Sequence, residues 1–330
     1  MIVRMASKRS RRRFLFAARA KFEERTAEVL RRLQVKLGPE ADASAERALS
    51  QKLTASLVDG ETVHFEDTGA LCGYALRRLR SRCRALLEVL LAENCGALLD
   101  AFLQRWQAST GRPFLVASLG GGPGFDLVAL LATMDALQEA AAQEPGVLVA
   151  LPAPNGAACL SLDLAPAWAP AVAAVAEVAK EMWPQQSPEL ELLAPVDLRS
   201  PAMEIAEFLP RADLVVAAYV LHENEAALTS AVPGCIGGAF PEIFQRSAWG
   251  VPLVFLDATH RLWPSLVQTA REAADFEVLL PEGLAAHIHA VVLIRGEAEG
   301  EWRPAQFETF LAHQRAKEDR LWRQMEKHRA

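Results

Sequence analysis

The chain has 330 residues, 51% hydrophobic and 23% charged, which supports a soluble globular core and excludes a disordered or fibrous protein. No stretch reaches the ~18 uninterrupted apolar residues of a membrane span, so no membrane partner is expected. Residues 1–36 carry 12 Lys/Arg against three Glu, a net of +9 in a chain of net −6, which leaves −15 for the remainder.

That basic start has three functional readings: an organellar transit peptide, a nuclear or nucleolar address, or a tail that neutralises RNA phosphates. A solvated charge run without a specific use is the bland alternative. All the readings place the protein inside a cell. The five cysteines, Cys72, Cys83, Cys95, Cys159 and Cys235, are odd in number and contain no CxxC pair. This fits a reducing compartment rather than a disulfide framework. Cys72, Cys83 and Cys95 are too loosely spaced for a metal cluster with His64, and no metal site is expected.

In chain order, residues 1–20 read as the basic, disordered or targeting segment, and residues 21–111 as a helical region or lid. Phe22, Val29, Leu30, Leu33 and Leu37 recur at helical spacing up to Gly38-Pro39. A second helix over 43–58 ends at Asp59-Gly60. A longer helical stretch from Ala70 to Trp106 breaks near Asn94-Cys95-Gly96. It carries Arg77, Arg78, Arg80, Arg82 and Arg84, a candidate basic face. From Gly111-Arg112-Pro113 apolar runs alternate with helical ones, the pattern of an α/β domain over 112–300 with a mostly parallel sheet. The strands are FLVASL (114–119), ACLSLDL (158–164), LELLAPVDL (190–198), ADLVVAAYVL (212–221) and VPLVFLDA (251–258). FEVLL (276–280) and HAVVLI (289–294) follow as a candidate antiparallel pair. Residues 143–155 read as an irregular insertion, and 301–330 as a charged closing helix.

Between the first strand and its helix lies Gly120-Gly121-Gly122-Pro123-Gly124. Such a turn bares backbone N–H groups at a helix start and lets a ligand approach without a Cβ in the way. The dinucleotide pattern fails, because Phe125 stands where its last glycine belongs and the next strand-end acid, Asp163, is about 40 residues on. No Lys-Ser/Thr pair follows, so the loop is not of the Walker type either. The spacing is G-x-G-x-G.

SLGGGPGFD therefore resembles the first motif of the class I S-adenosylmethionine-dependent methyltransferases. LDLAPAW, PVDL and DLVVAAYVLHEN resemble that family's second-, third- and fourth-strand motifs in the right order. The resemblance spans about residues 112–296. It implies a Rossmann-like sheet of seven mostly parallel strands with an antiparallel C-terminal hairpin, and S-adenosylmethionine as cofactor. It implies a cofactor set of Gly120, Gly121, Gly122, Gly124, Asp163 at the ribose hydroxyls, Asp197 near the adenine, and Tyr219 at the methyl end. Ser118 occupies a position that is usually acidic in the family, and Asp126 is a candidate substitute. His222 and Glu223 follow the fourth strand and are the catalytic candidates. His222 has a suitable pKa for removing a proton from the acceptor, and its alternative is simple packing.

For the acceptor, the basic start and the arginines at 77–84 suit RNA. GGGPG, the Asp163/Trp168 pair and YVLHEN are similar to fungal uridine-N3 methyltransferases of large-subunit ribosomal RNA. The net −15 of the remaining chain suits a small molecule equally well. A third reading is a methyltransferase-like subunit that no longer catalyses and serves assembly.

Overall fold

The central strands of the α/β part are short, apolar and buried on both faces, which is what helices on either side of a parallel sheet require, while the two edge strands are only partly covered. The computed structural model describes residues 8–59, 63–143, 155–201, 205–228, 230, 232–285, 287–296 and 304–329. The strands are β1 (Phe114–Leu119), β2 (Ala157–Leu162), β3 (Glu189–Leu193), β4 (Leu214–Ala218), β5 (Pro252–Asp257), β6 (Phe276–Leu279) and β7 (His289–Arg295). They form one sheet in the order β3-β2-β1-β4-β5-β7-β6. The pairs among β1 to β5 are parallel, while β7 runs antiparallel to both β5 and β6. The Rossmann-like sheet with its antiparallel C-terminal hairpin, preceded by a helical region, is thus the architecture observed.

Alternation along the strands divides the apolar side chains into two cores. One collects Val116, Leu214, Val216, Val254 and Val292 with helices α1 (Lys8–Leu37), α3 (Thr68–Leu90), α4 (Gly96–Ala108), α5 (Phe125–Gln143) and α6 (Ala169–Met182). The other collects Ala117, Val215, Ala217, Phe255 and Val291 with α7 (Phe240–Arg246), α8 (Trp263–Ala273) and α9 (Pro304–Arg329). Fully buried aromatics such as Phe102, Phe114, Phe244 and Phe255 anchor both, each contributing about 2–3 kcal/mol of transfer free energy.

The helical region is built into the first core. α2 (Ala43–Asp59) and α3 are separated by a short segment, and α3 starts where the Asp67 carboxylate accepts the Ala70 N–H at 2.8 Å. The division expected at residue 20 is absent. α1 runs through it without a break and buries Phe14, Leu15 and Ala18 in the core. Those residues fall on one helical stripe that the surrounding arginines obscure. Residues 1–7 of the basic start, and 144–154 of the expected insertion, lie outside the described residues.

The positive charge of α1 is largely paired inside the chain. Arg25 meets Asp135 at 2.5 Å and Lys21 meets Glu139 at 3.0 Å on α5, while Lys36 meets Glu177 at 2.7 Å on α6. Arg12 and Arg13 remain exposed. The closing helix α9 packs on the sheet through Phe307, Phe310 and Leu311, and the His289 Nδ1–H donates to Gln314 Oε1 at 2.9 Å. Among the described residues no helix is long and apolar enough to cross a membrane, and no three His, Cys, Asp or Glu side chains converge as metal ligands.

Candidate functional site

The strand order reverses direction between β1 and β4, the point where open α/β sheets bind ligands at their carboxyl ends. A cavity of ≈ 480 Å³ lies there, within the range of small-molecule sites. Its floor is the loop from Gly120 to Pro123. Its walls come from the ends of β2 and β4, the 163–168 turn, residues 196–199, and residues 63–66 with Tyr74 and Arg82 of the helical region.

The loop needs glycine for two separate reasons. Gly120, Gly122 and Gly124 have φ of +62°, +50° and +86°, a backbone region that other residues enter only at a cost. Gly121 has no such φ, but a Cβ there would stand 2.5 Å from Ser118 Oγ and 2.6 Å from Ser161 Oγ. The loop is fastened from below. Asp163, just past β2, accepts the Gly122 N–H through Oδ2 and the Ala165 N–H through Oδ1, both at 2.9 Å, and Ser161 Oγ–H donates to the Gly122 carbonyl at 2.8 Å. Burial pushes the Asp163 carboxyl above its usual range, against the pull of those N–H groups. The Leu164 N–H and the Trp168 side chain also bond this carboxylate, which lines the cavity.

Ser118 and Asp126 prove to be one unit. The Ser118 hydroxyl donates to Asp126 Oδ2 beneath the loop. Burial raises the Asp126 carboxyl to about 6, opposed by that hydroxyl and by the charge of Arg82. An acid at the first turn of α5 thus stands against the Ser118 side chain.

Asp197 also lines the cavity, but Arg199 holds both of its carboxylate oxygens, at 2.7 and 3.0 Å, and keeps its pKa low. Tyr219, the first residue after β4, has φ of +64°. For a bulky side chain this is a strained conformation of the kind found at binding sites. Its ring lies beneath Arg82, with the guanidinium carbon 3.2 Å from the ring centroid.

The two catalytic candidates separate. Glu223 lines the cavity, and burial pushes its carboxyl up to about 7, opposed by His222 and Arg82. His222 is not part of the cavity wall. Its Nδ1 pairs with Asp257 Oδ1 and its backbone N–H donates to Asp257 Oδ2 at 3.1 Å. Burial lowers the His222 pKa, but the Asp257 charge and hydrogen bond outweigh it and the net shift is upward. The Nε2 atom is left 4.0 Å from Glu223 Oε1. Asp257 is a site residue to which the sequence assigns no role, and Arg82, expected on a basic face, belongs to the cavity instead. Asp257 ends a central strand, which is itself a signal. Arg82 sits three residues after Leu79 and four before Leu86, both buried, and so on the apolar stripe of α3.

The rest of the arginine stretch faces elsewhere. Arg77 bonds Glu46 at 2.8 and 2.9 Å, Arg80 bonds Glu23 at 2.7 Å, and Arg84 reaches Glu88 at 3.4 Å. The five arginines do not form one open basic face.

No protein-family model matches the chain, and no curated protein matches it in sequence. Solved structures with a similar fold include an O-methyltransferase family protein from Burkholderia thailandensis, at 13% identity and a TM-score of 0.41 over 77% of this chain and 71% of that one. Another is human N-acetylserotonin methyltransferase in complex with S-adenosylmethionine, at 17% identity and a TM-score of 0.30 over 75% and 67%. The likeness is one of fold.

Proposed function

We propose that the protein is an S-adenosylmethionine-dependent methyltransferase. The observation that carries this reading is the glycine floor with an acid at each end, Asp163 under one side and Asp126 under the other, in a cavity at the sheet's reversal point. The residues fit the cofactor. The Asp163 carboxylate suits vicinal ribose hydroxyls, the loop backbone passes close to the ligand, and Asp126 suits an α-ammonium. Asp197, tied to Arg199, would serve the adenine end through the edge of that ion pair. The cofactor supplies an electrophilic methyl group, and the protein's task is to place the acceptor in line with it.

An acceptor that must lose a proton needs a base at the cavity, and Glu223 is the group positioned for it. Deprotonated above pH about 7, its carboxylate takes the proton, while His222, held by Asp257, positions it and steadies its charge. The acceptor class supported best is a small molecule with an ionisable N–H or O–H, because the cavity is walled by the helical region and Arg77, Arg80 and Arg84 are paired with acids. A second reading, methylation of a ribosomal RNA base nitrogen, draws on the same base, since a uracil imide also gives up a proton. The exposed Arg12 and Arg13 are its remaining support.

Calorimetry tests the first claim. Wild type should bind S-adenosylmethionine, and Asp163→Ala should weaken binding by about 10- to 100-fold. No binding by wild type overturns the enzyme reading and leaves the non-catalytic subunit. Labelled-methyl transfer to a small-molecule extract against total RNA then decides the acceptor.

A further inference from the structure

Tyr74, Arg78 and Arg82 follow one another at four-residue spacing on α3, so that each stands one turn beyond the last. Arg82 lines the cavity, donates from Nη2 to the Tyr74 hydroxyl at 2.9 Å and rests on the Tyr219 ring. Arg78 lies one turn before it, its guanidinium carbon 6.0 Å from the centroid of the Tyr74 ring. Each arginine has a buried nitrogen without a hydrogen-bond partner, Nε in Arg78 and Nη1 in Arg82. Among the described residues, neither has a carboxylate at ion-pair distance. Glu46 acts on Arg78 through its charge, but its oxygens are taken by Arg77 and Ser50. Glu223 and Asp126 act on Arg82 through charge alone. Two cations one helical turn apart repel each other, and each leaves a donor unsatisfied; an anion shared between them removes both costs. The Tyr74 hydroxyl accepts from Arg82 and so keeps its own proton to give. Two forked cations and a phenol O–H are a donor set suited to one carboxylate or phosphate group.

We propose that Tyr74, Arg78 and Arg82 form an anion subsite for the methyl acceptor, a small molecule that carries a carboxylate or phosphate group besides its ionisable N–H or O–H. The assignment rests on the methyltransferase reading above and narrows its acceptor class. Glu223 shares the cavity wall with Arg82, so an acceptor anchored on the arginines brings its proton to the base. The two cations also offset the repulsion that an anionic acceptor meets from Asp126, Asp163 and Glu223 in the same wall. The helical region, in this assignment, selects the acceptor rather than merely covering the cavity.

The test is calorimetry on the full chain saturated with S-adenosylhomocysteine, using benzoate, phenyl phosphate and the uncharged benzamide as probes. Wild type should bind at least one of the two anions about 10-fold more tightly than benzamide, and the tighter one identifies the group. Arg78→Met and Arg82→Met should each weaken that anion by about 10-fold and leave benzamide unchanged. Both should keep the wild-type affinity for S-adenosylhomocysteine, which also reports that they fold. Arg78→Lys and Arg82→Lys, which keep the charge but not the fork, should fall between wild type and the Met variants. Anions bound no better than benzamide overturn the assignment while the methyltransferase reading stands. So does an oligonucleotide that needs both arginines where neither small anion binds, because the acceptor is then RNA. A loss of S-adenosylhomocysteine affinity in Arg82→Met with the anion probes unaffected overturns it too, by giving the arginine to the methyl donor. Failure of wild type to bind S-adenosylhomocysteine instead removes the reading on which it rests, and the assignment with it.

Discussion

The two ends of the parallel sheet treat buried acids in opposite ways. At the amino end, Asp213 stands fully buried before β4 and is satisfied from every side. Arg112 bonds both carboxylate oxygens at 2.5 and 2.6 Å, the Leu115 N–H donates at 2.9 Å, and Arg105 lies 3.1 Å away. At the carboxyl end, Asp126 is nearly as enclosed and Glu223 is partly exposed, both are underbonded, and burial raises them to about 6 and about 7. The first arrangement locks a strand in place. The second keeps charge in reserve where a ligand would enter, and shifted carboxyls of this kind mark functional sites.

Three measurements break or sharpen that contrast. The largest effect belongs to Asp213→Ala, which leaves the Leu115 N–H unpaired and takes both carboxylate bonds from Arg112. It should cost about 3 kcal/mol in chemical denaturation, and a loss under 1 kcal/mol would remove the idea of a lock. Glu223→Gln comes next, lowering methyl transfer by about 100-fold with cofactor affinity unchanged. Its stability should move the other way. Folding raises this carboxyl from 4.5 to about 7, so the protonated form is favoured in the fold. The group's contribution is complete below pH 4.5 and is lost as pH rises through about 7. Glu223→Gln escapes that loss, and its advantage in unfolding free energy should grow between pH 5 and 8, by on the order of 1–3 kcal/mol. A constant gap across that range would show that Glu223 is solvated after all. Smallest is Arg80→Ala at the surface pair with Glu23. It should change stability by less than about 0.5 kcal/mol and leave any RNA binding unaltered; a steep drop in RNA affinity would restore the basic face.

Much of this molecule is readable from its residues, and the limits have physical causes. The central strands show themselves because both faces are buried, which gives apolar runs such as VPLVFLD, while the edge strand ELELL alternates. The glycine loop shows itself because backbone conformation and crowding both demand glycine there. Charge is where reading the chain falls short. The arginines from 77 to 84 look alike in sequence, yet Arg82 belongs to the cavity while Arg77, Arg80 and Arg84 join surface pairs, a distinction made by helix phase. The partnership of His222 with Asp257 joins residues 35 apart and that of Gly122 with Asp163 joins residues 41 apart. Only the sheet brings their strand ends together. Ser118 looks like a loss until the fold sets Asp126 against it.

The position of α3 bears on how quickly ligand can come and go. This one helix carries Arg82 at the cavity while burying Leu79, Cys83 and Leu86 in the first core. Swinging it aside would expose that core, a motion as expensive as partial unfolding. Any ligand exchange at the cavity is therefore cheapest with α3 held in place.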